Sequence, residues 1–221
     1  MNDFTVSRRH LMTMAGSLAL LAAPLLVALG PLARPAFARA VPANLTPQDE
    51  TDLKRIQDYL NGITTMKAKF QQYSEKGGIA FGTIYLKRPG YIRIEYEPPS
   101  PMLIVSDSVS LHYYDPELDQ INRVPVSASP LWFLLKDNIE LGGDVTVTAF
   151  QRSPAAFEIS IRQTDDADEG KVILELGDRP LELRQWIVVD QKSEEVRVGL
   201  FEAQFGVELD SELFRVPKKK S

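Results

Sequence analysis

Cysteine is absent from the 221 residues, and histidine occurs only at His10 and His112. The first absence excludes disulfides, thiolate metal sites, cysteine nucleophiles and an acylated-cysteine anchor, so packing alone must hold the fold. Histidine is the usual general base near neutral pH, and His112 lies in a stretch reading Leu-His-Tyr-Tyr-Asp. A lone strand histidine there reads as a packed or surface residue. No Gly-x-Ser-x-Gly elbow and no phosphate-binding glycine loop occur. Cations are outnumbered, giving a formal net charge of −5, and the one basic run, Lys218, Lys219 and Lys220, reads as a solvated tail. A nucleic-acid partner is therefore not expected. These absences point away from an enzyme, a cofactor or a metal.

What is present begins with a leader. Ser7-Arg8-Arg9-His10-Leu11-Met12 forms a charged n-region, an apolar run over 18–29 follows, and two small-x-small sites, Ala36-Phe37-Ala38 and Ala38-Arg39-Ala40, end it. This pattern predicts a signal peptide over residues 1–40, cleaved after Ala38 or Ala40. Its paired arginines resemble the twin-arginine export signal; a Sec-type signal is the other reading. The apolar run is short for a membrane anchor. Removing residues 1–40 leaves 21 basic and 29 acidic residues, a net of −8, in one domain over 41–221. That length can bury a real core.

One helix is expected over residues 47–61. Thr46 can cap it, Pro47 suits its first position, Asp49 completes a capping box, and Leu53, Ile56, Leu60 and Ile63 recur at helical spacing. The period then switches to two. Strands are predicted over 66–73, 79–87, 91–96, 102–106, 110–114, 120–125, 145–150, 156–162, 171–176, 181–189 and 194–201, with a short terminal run at 213–216. Turn residues separate them, including Pro89-Gly90, Asp115-Pro116 and Gly177-Asp178. No helical pattern alternates with these strands, so the fold is mainly β, an antiparallel barrel or sandwich.

One stretch breaks the alternation: Ser129-Pro130-Leu131-Trp132-Phe133-Leu134-Leu135-Lys136-Asp137. Ser129 and Pro130 can open a short helix. Its five consecutive apolar residues cannot share one face, so they either plug a barrel end or offer surface to a ligand. The acidic clusters at 115–119 and 165–170 lack the spacing of a calcium loop and read as turns. Taken residue by residue, the chain describes an exported β container with no chemistry of its own.

Several ordered motifs resemble the LolA family of periplasmic outer-membrane lipoprotein carriers. They are Met66-Lys67-Ala68-Lys69-Phe70-Gln71-Gln72, Gly82-x-x-Tyr85-Leu86-x-Arg88-Pro89-Gly90, Ile94-x-Tyr96-x-x-Pro99, Ile104-Val105-Ser106-Asp107, Leu111-x-Tyr113-Tyr114-Asp115-Pro116-x-x-x-Gln120 and the Ser-Pro-Leu-Trp-Phe-Leu-Leu stretch. Two departures stand out: the family's usual aspartate-glycine is Asp107-Ser108, and Ile92 stands where an aromatic is common.

The resemblance implies an unclosed antiparallel barrel of about eleven strands with a helical lid or plug. It makes Leu53, Ile56, Leu60, Leu131, Trp132, Phe133 and Leu135 lid or plug residues whose apolar faces look into a cavity. Strand parity puts Ile92, Ile94 and Tyr96 on one face, taken as cavity lining together with Phe70. Arg88 is implied to be the latch that hydrogen-bonds lid backbone in the closed form, a task suited to a guanidinium fork. Implied partners are triacylated outer-membrane lipoproteins, an inner-membrane lipoprotein-releasing ABC transporter and an outer-membrane acceptor lipoprotein, with the carrier a periplasmic monomer. Two rival classes stay open. One is an envelope sensor or small hydrophobic-ligand binder of the same half-barrel; the other is a hydrolase with serine chemistry outside the known elbow.

Overall fold

The computed structural model describes residues 38–217, apart from 75–77, 100 and 131. The expected leader therefore lies outside the described residues except for its last three, and Leu131 lies outside them too.

The helix α1 spans Pro47–Gly62. The Asp49 amide donates to Thr46 Oγ1 at 3.2 Å, and the Thr46 amide donates to Asp49 Oδ2 at 3.0 Å, satisfying two otherwise orphaned donors. Its buried face carries Asp52, Leu53, Ile56 and Leu60.

Eleven strands follow: β1 Thr65–Ser74, β2 Gly78–Lys87, β3 Tyr91–Tyr96, β4 Leu103–Ser106, β5 Ser110–Asp115, β6 Gln120–Pro125, β7 Val145–Arg152, β8 Ala156–Gln163, β9 Lys171–Asp178, β10 Leu181–Val189 and β11 Glu195–Phe205. They form one antiparallel sheet in the order β6-β5-β4-β3-β2-β1-β11-β10-β9-β8-β7. The first and last strands pair at the centre, and β6 and β7, consecutive in sequence, are the two unpaired edges. Residues 126–144 join those edges. Alternation sets which face is oily: Met66, Ala68 and Phe70 of β1 are buried, while Lys67 between them and Gln71 just after them are exposed.

Gly82 shows how closely the inner face is packed. A Cβ there would lie 2.1 Å from the Glu95 carbonyl oxygen and 2.5 Å from the Phe70 ring. The missing side chain lets Phe70 and Tyr96 meet edge to face over β2, with centroids 5.2 Å apart.

One expected element differs, and another takes a tighter form. The terminal run at 213–216 is no strand; Ser211–Phe214 forms a 3₁₀ turn capped by Asp210. It docks on the outside of β3, where Arg93 Nη1 donates to the Leu213 carbonyl at 2.9 Å and the Tyr91 and Phe214 rings sit 5.7 Å apart. The short helix expected after Ser129 is present as a 3₁₀ helix of one turn, Trp132–Leu135. The carbonyls just past that turn, those of Lys136 and Asp137, accept from Arg88 instead of continuing a helix.

Candidate functional site

The inner face does not fill completely. A cavity of about 210 Å³ runs beneath the C-terminal end of α1 and the 126–144 segment. From α1 and the residue beyond it come Leu60 and Ile63; from β1 to β5 come Met66, Phe70, Ile84, Leu86, Ile92, Ile94, Tyr96, Ile104, Leu111 and Tyr113. β10 and β11 add Leu183, Trp186, Val188, Val196 and Val198, and the 126–144 segment adds Leu134, Leu135 and Ile139. Strands β6 to β9 contribute nothing to this wall.

Arg88 closes one end. It sits in the turn between β2 and β3, where Gly90 takes φ +84°, a conformation favouring glycine. Its guanidinium donates to five oxygens: Nε to the Lys136 carbonyl at 2.7 Å, Nη1 to the Leu60 and Ile63 carbonyls at 2.7 and 3.1 Å, and Nη2 to Asn61 Oδ1 and the Asp137 carbonyl at 3.2 and 2.9 Å. Leu60 and Ile63 are at the C-terminal end of α1, whose last turn holds no basic residue of its own. Arg88 thus brings the cation that the negative end of the helix dipole favours. Burial pulls its pKa down and Asp137 pushes it back up.

Further contacts tie the 126–144 segment to the helix and turn. Asn61 exchanges two hydrogen bonds with Ile139, 2.9 Å to its carbonyl and 2.8 Å from its amide. The Leu141 amide donates to Gln57 Oε1 at 2.8 Å, and the Gly90 amide to the Leu135 carbonyl at 2.8 Å. The other half of α1 is held by charge. Asp52, only 6% exposed at its side chain, is bonded by Arg152 Nη2 at 2.6 Å and by Arg55 Nη1 at 3.0 Å. Arg55 also bonds Asp178, and Arg152 reaches Asp49 at 2.9 Å.

Of the residues singled out in the sequence, Leu60, Phe70, Ile92, Ile94, Tyr96 and Leu135 line the cavity, with Arg88 at its end. Leu53 and Ile56 do not line it. They are buried in the main core, because their half of α1 is drawn toward β7 and β9 by the Asp52–Arg152 and Arg55–Asp178 pairs. Trp132 and Phe133 do not line it either; they face a separate hollow of about 50 Å³ beside Val145, Ile161 and Val172. A 3₁₀ turn splits neighbouring side chains to different sides, so Leu134 and Leu135 go one way and these two the other.

Sequence reasoning missed Gln57 and Asn61, the walls from β10 and β11, and two polar lining residues, Gln72 and Tyr113. Parity carried a signal for several: Gln72 continues the face of Met66, Ala68 and Phe70, and Val196 and Val198 share theirs. The polar bonds of α1 had no local signal. His112 and the turn aspartates stand outside the site. His112 Nε2 lies 2.8 Å from Asp107 Oδ2, and Asp115 Oδ1 accepts the Glu117 and Leu118 amides.

Comparison with known proteins brings in names. The family described as outer membrane lipoprotein carrier protein LolA matches residues 61–217. An outer-membrane lipoprotein carrier protein of Dechloromonas aromatica is 36% identical over 72 residues, covering 30% of this chain and 35% of its own. One from Chromohalobacter salexigens is 34% identical over 88 residues, covering 37% and 42%. An uncharacterised protein of Rickettsia prowazekii is 28% identical over 112 residues, covering 51% and 53%. The chain thus spans about half the length, or less, of these curated relatives. Among solved structures, a LolA superfamily protein of Nitrosomonas europaea aligns over 74% of this chain and 97% of its own, at 10% identity and TM-score 0.44.

Proposed function

Because the chain belongs to the LolA family of outer membrane lipoprotein carrier proteins, we propose that it is a periplasmic carrier that shields the acyl chains of outer-membrane lipoproteins inside its cavity. The observation carrying this reading is the cavity itself: an apolar hollow whose cover is fastened by one arginine to backbone carbonyls of two separate segments. At about 210 Å³ it is below the roughly 300–1,000 Å³ of ordinary ligand sites. Three acyl chains therefore need the cover to move, and Arg88 is the latch that must let go.

Energetics supports a shuttle between two membranes. Three chains carry about 45 methylenes, nominally on the order of 36 kcal/mol of transfer free energy. Non-covalent complexes stop near roughly 21 kcal/mol, so a cavity cannot draw such cargo from a bilayer unaided. Loading by an ATP-driven lipoprotein-releasing transporter of the inner membrane, and unloading to an outer-membrane acceptor lipoprotein, meets that need. Export would precede both. Burial of Ala40, whose amide donates to the Thr164 carbonyl at 2.9 Å, supports cleavage after Ala38, although that cut gives up the bond from the Ala167 amide to the Ala38 carbonyl, also 2.9 Å.

Protein purified from its native envelope should carry triacylated lipoprotein, visible by intact-mass spectrometry of the complex. Preparations holding no lipid-modified protein, with free lipid or nothing in its place, overturn the carrier reading.

A further inference from the structure

Toward the end of the cavity away from Arg88 the apolar lining carries three polar groups, and shielding hydrocarbon does not require them. Gln72, Tyr96 and Tyr113 come from β1, β3 and β5, toward the strand ends that lie away from the β2–β3 turn, and all three line the cavity. β1 and β3 are two strand spacings apart, roughly 9–10 Å. Their side chains meet across β2 because Ala80 pairs with Gln72 and Gly82 with Tyr96, and neither small residue stands in the way. The Tyr96 hydroxyl donates to Gln72 Oε1 at 2.8 Å.

That bond uses the carboxamide oxygen and leaves its two N–H donors. Among the described residues, neither Gln72 Nε2 nor the Tyr113 hydroxyl has a hydrogen-bond partner, and no buried side-chain polar atom lacks one. Both groups are therefore on accessible surface, on residues that face the hollow. A carboxamide on an oily face costs free energy unless it is satisfied. Burial pushes the Tyr96 phenol up to about 12, neighbouring Tyr113 adding to it, and burial raises Tyr113 as well. Both phenols are donors at neutral pH.

We propose that Gln72, Tyr96 and Tyr113 form a subsite that reads acyl carbonyls. Tyr96 orients the Gln72 carboxamide, whose N–H groups, with the Tyr113 hydroxyl, donate to the ester carbonyl oxygens at the head of the bound chains. The cavity then selects acyl over alkyl chains and fixes their direction, carbonyls at this end and methyl ends toward the Arg88 cover. This rests on the acyl-binding reading above and refines it.

The test is displacement of a cavity-bound hydrophobic fluorophore by 1,2-dioctanoylglycerol and by its dioctyl ether counterpart, which lacks only the carbonyls. One hydrogen bond corresponds to roughly three- to tenfold in affinity, so the native protein should prefer the ester by at least threefold. Tyr113→Phe and Gln72→Leu should bring the two ligands close to parity through weaker binding of the ester. Tyr113→Phe removes a single oxygen and guards against an effect of misfolding. Equal binding by the native protein, or a preference that survives both substitutions, overturns the subsite alone. If neither glycerolipid displaces the fluorophore, the acyl-binding reading fails and the subsite with it.

Discussion

In β8 and β9 the inward side chains of Ile159, Leu174 and Leu176 are fully buried, and Phe157 stacks on Phe150 with centroids 5.7 Å apart. In β3 and β5 the inward side chains of Ile94, Tyr96 and Tyr113 remain only partly buried, because they face the hollow. The same alternation of apolar residues builds both regions, so pattern is not what separates a core from a container. The difference lies in what covers the sheet. Over β7 and β9 the cover is the charge-pinned half of α1 with Leu53 and Ile56 beneath it. Over β1 to β5 it is the C-terminal end of α1 and the 126–144 segment, fastened by hydrogen bonds that can be exchanged for water.

The comparison can be broken most forcefully in the packed region. Leu174→Ala leaves a cavity in a fully buried site and should cost about 2–5 kcal/mol in denaturant unfolding, with dye binding by the remaining folded protein unchanged. A loss below about 1 kcal/mol would mean that β9 is as loosely filled as β3. Ile94→Phe sharpens the contrast: overpacking usually costs about 1–3 kcal/mol, but here the ring has room, so stability should hold while dye capacity falls. Ile159→Phe is its control and should bear the whole penalty.

The next effect in size concerns the fastening. Losing charge-assisted hydrogen bonds worth about 1.5–3 kcal/mol should raise the open population of an Arg88→Leu variant roughly ten- to a hundredfold. Hydrogen exchange at the Ile139 and Leu141 amides reads it directly. On the proposed carrier function, that variant should accept lipoprotein yet release it slowly to acceptor membranes, and Arg88→Lys, which lacks the fork, should fall between. Exchange and release at native rates would reduce Arg88 to a turn neighbour.

The smallest effect is acidic. Burial alone would raise the Asp107 carboxyl, but hydrogen bonds from His112 and from the Ser110 and Val109 amides outweigh it and hold the carboxyl at about 2 against an ordinary 3.8. A depressed folded value stabilises above the unfolded value and is lost as pH falls through the folded one. Melting temperature should therefore fall modestly between about pH 4 and pH 2, and Asp107→Asn should flatten that portion of the curve. A native curve already flat there removes the carboxylate from the account.

Much of this architecture was legible in the chain because local rules set it. Thr46, Pro47 and Asp49 announce the start of α1, and the alternation of Met66, Ala68 and Phe70 announces both a strand and its buried face. The β2–β3 turn could be read from Pro89-Gly90 together with the arginine that it carries. What was not legible depends on partners distant in sequence. Nothing near Asp52 signals Arg152, and nothing near Asn61 signals Ile139. Leu53 and Ile56 were therefore placed in the cavity when long-range ion pairs draw them into the core. The short helix at Trp132–Leu135 could be read from Ser129 and Pro130, but its 3₁₀ form could not, because the carbonyls that follow it are taken by Arg88.

The unpaired edges of the sheet have a consequence of their own. A closed barrel ties its bore to strand number and stagger, so its girth changes only in whole steps, by breaking ladder bonds. Here β6 and β7 share no ladder, and residues 126–144 span the seam like a gusset. Easing that seam would widen the bore with every strand pairing intact, a change of girth that needs no ladder bond to break.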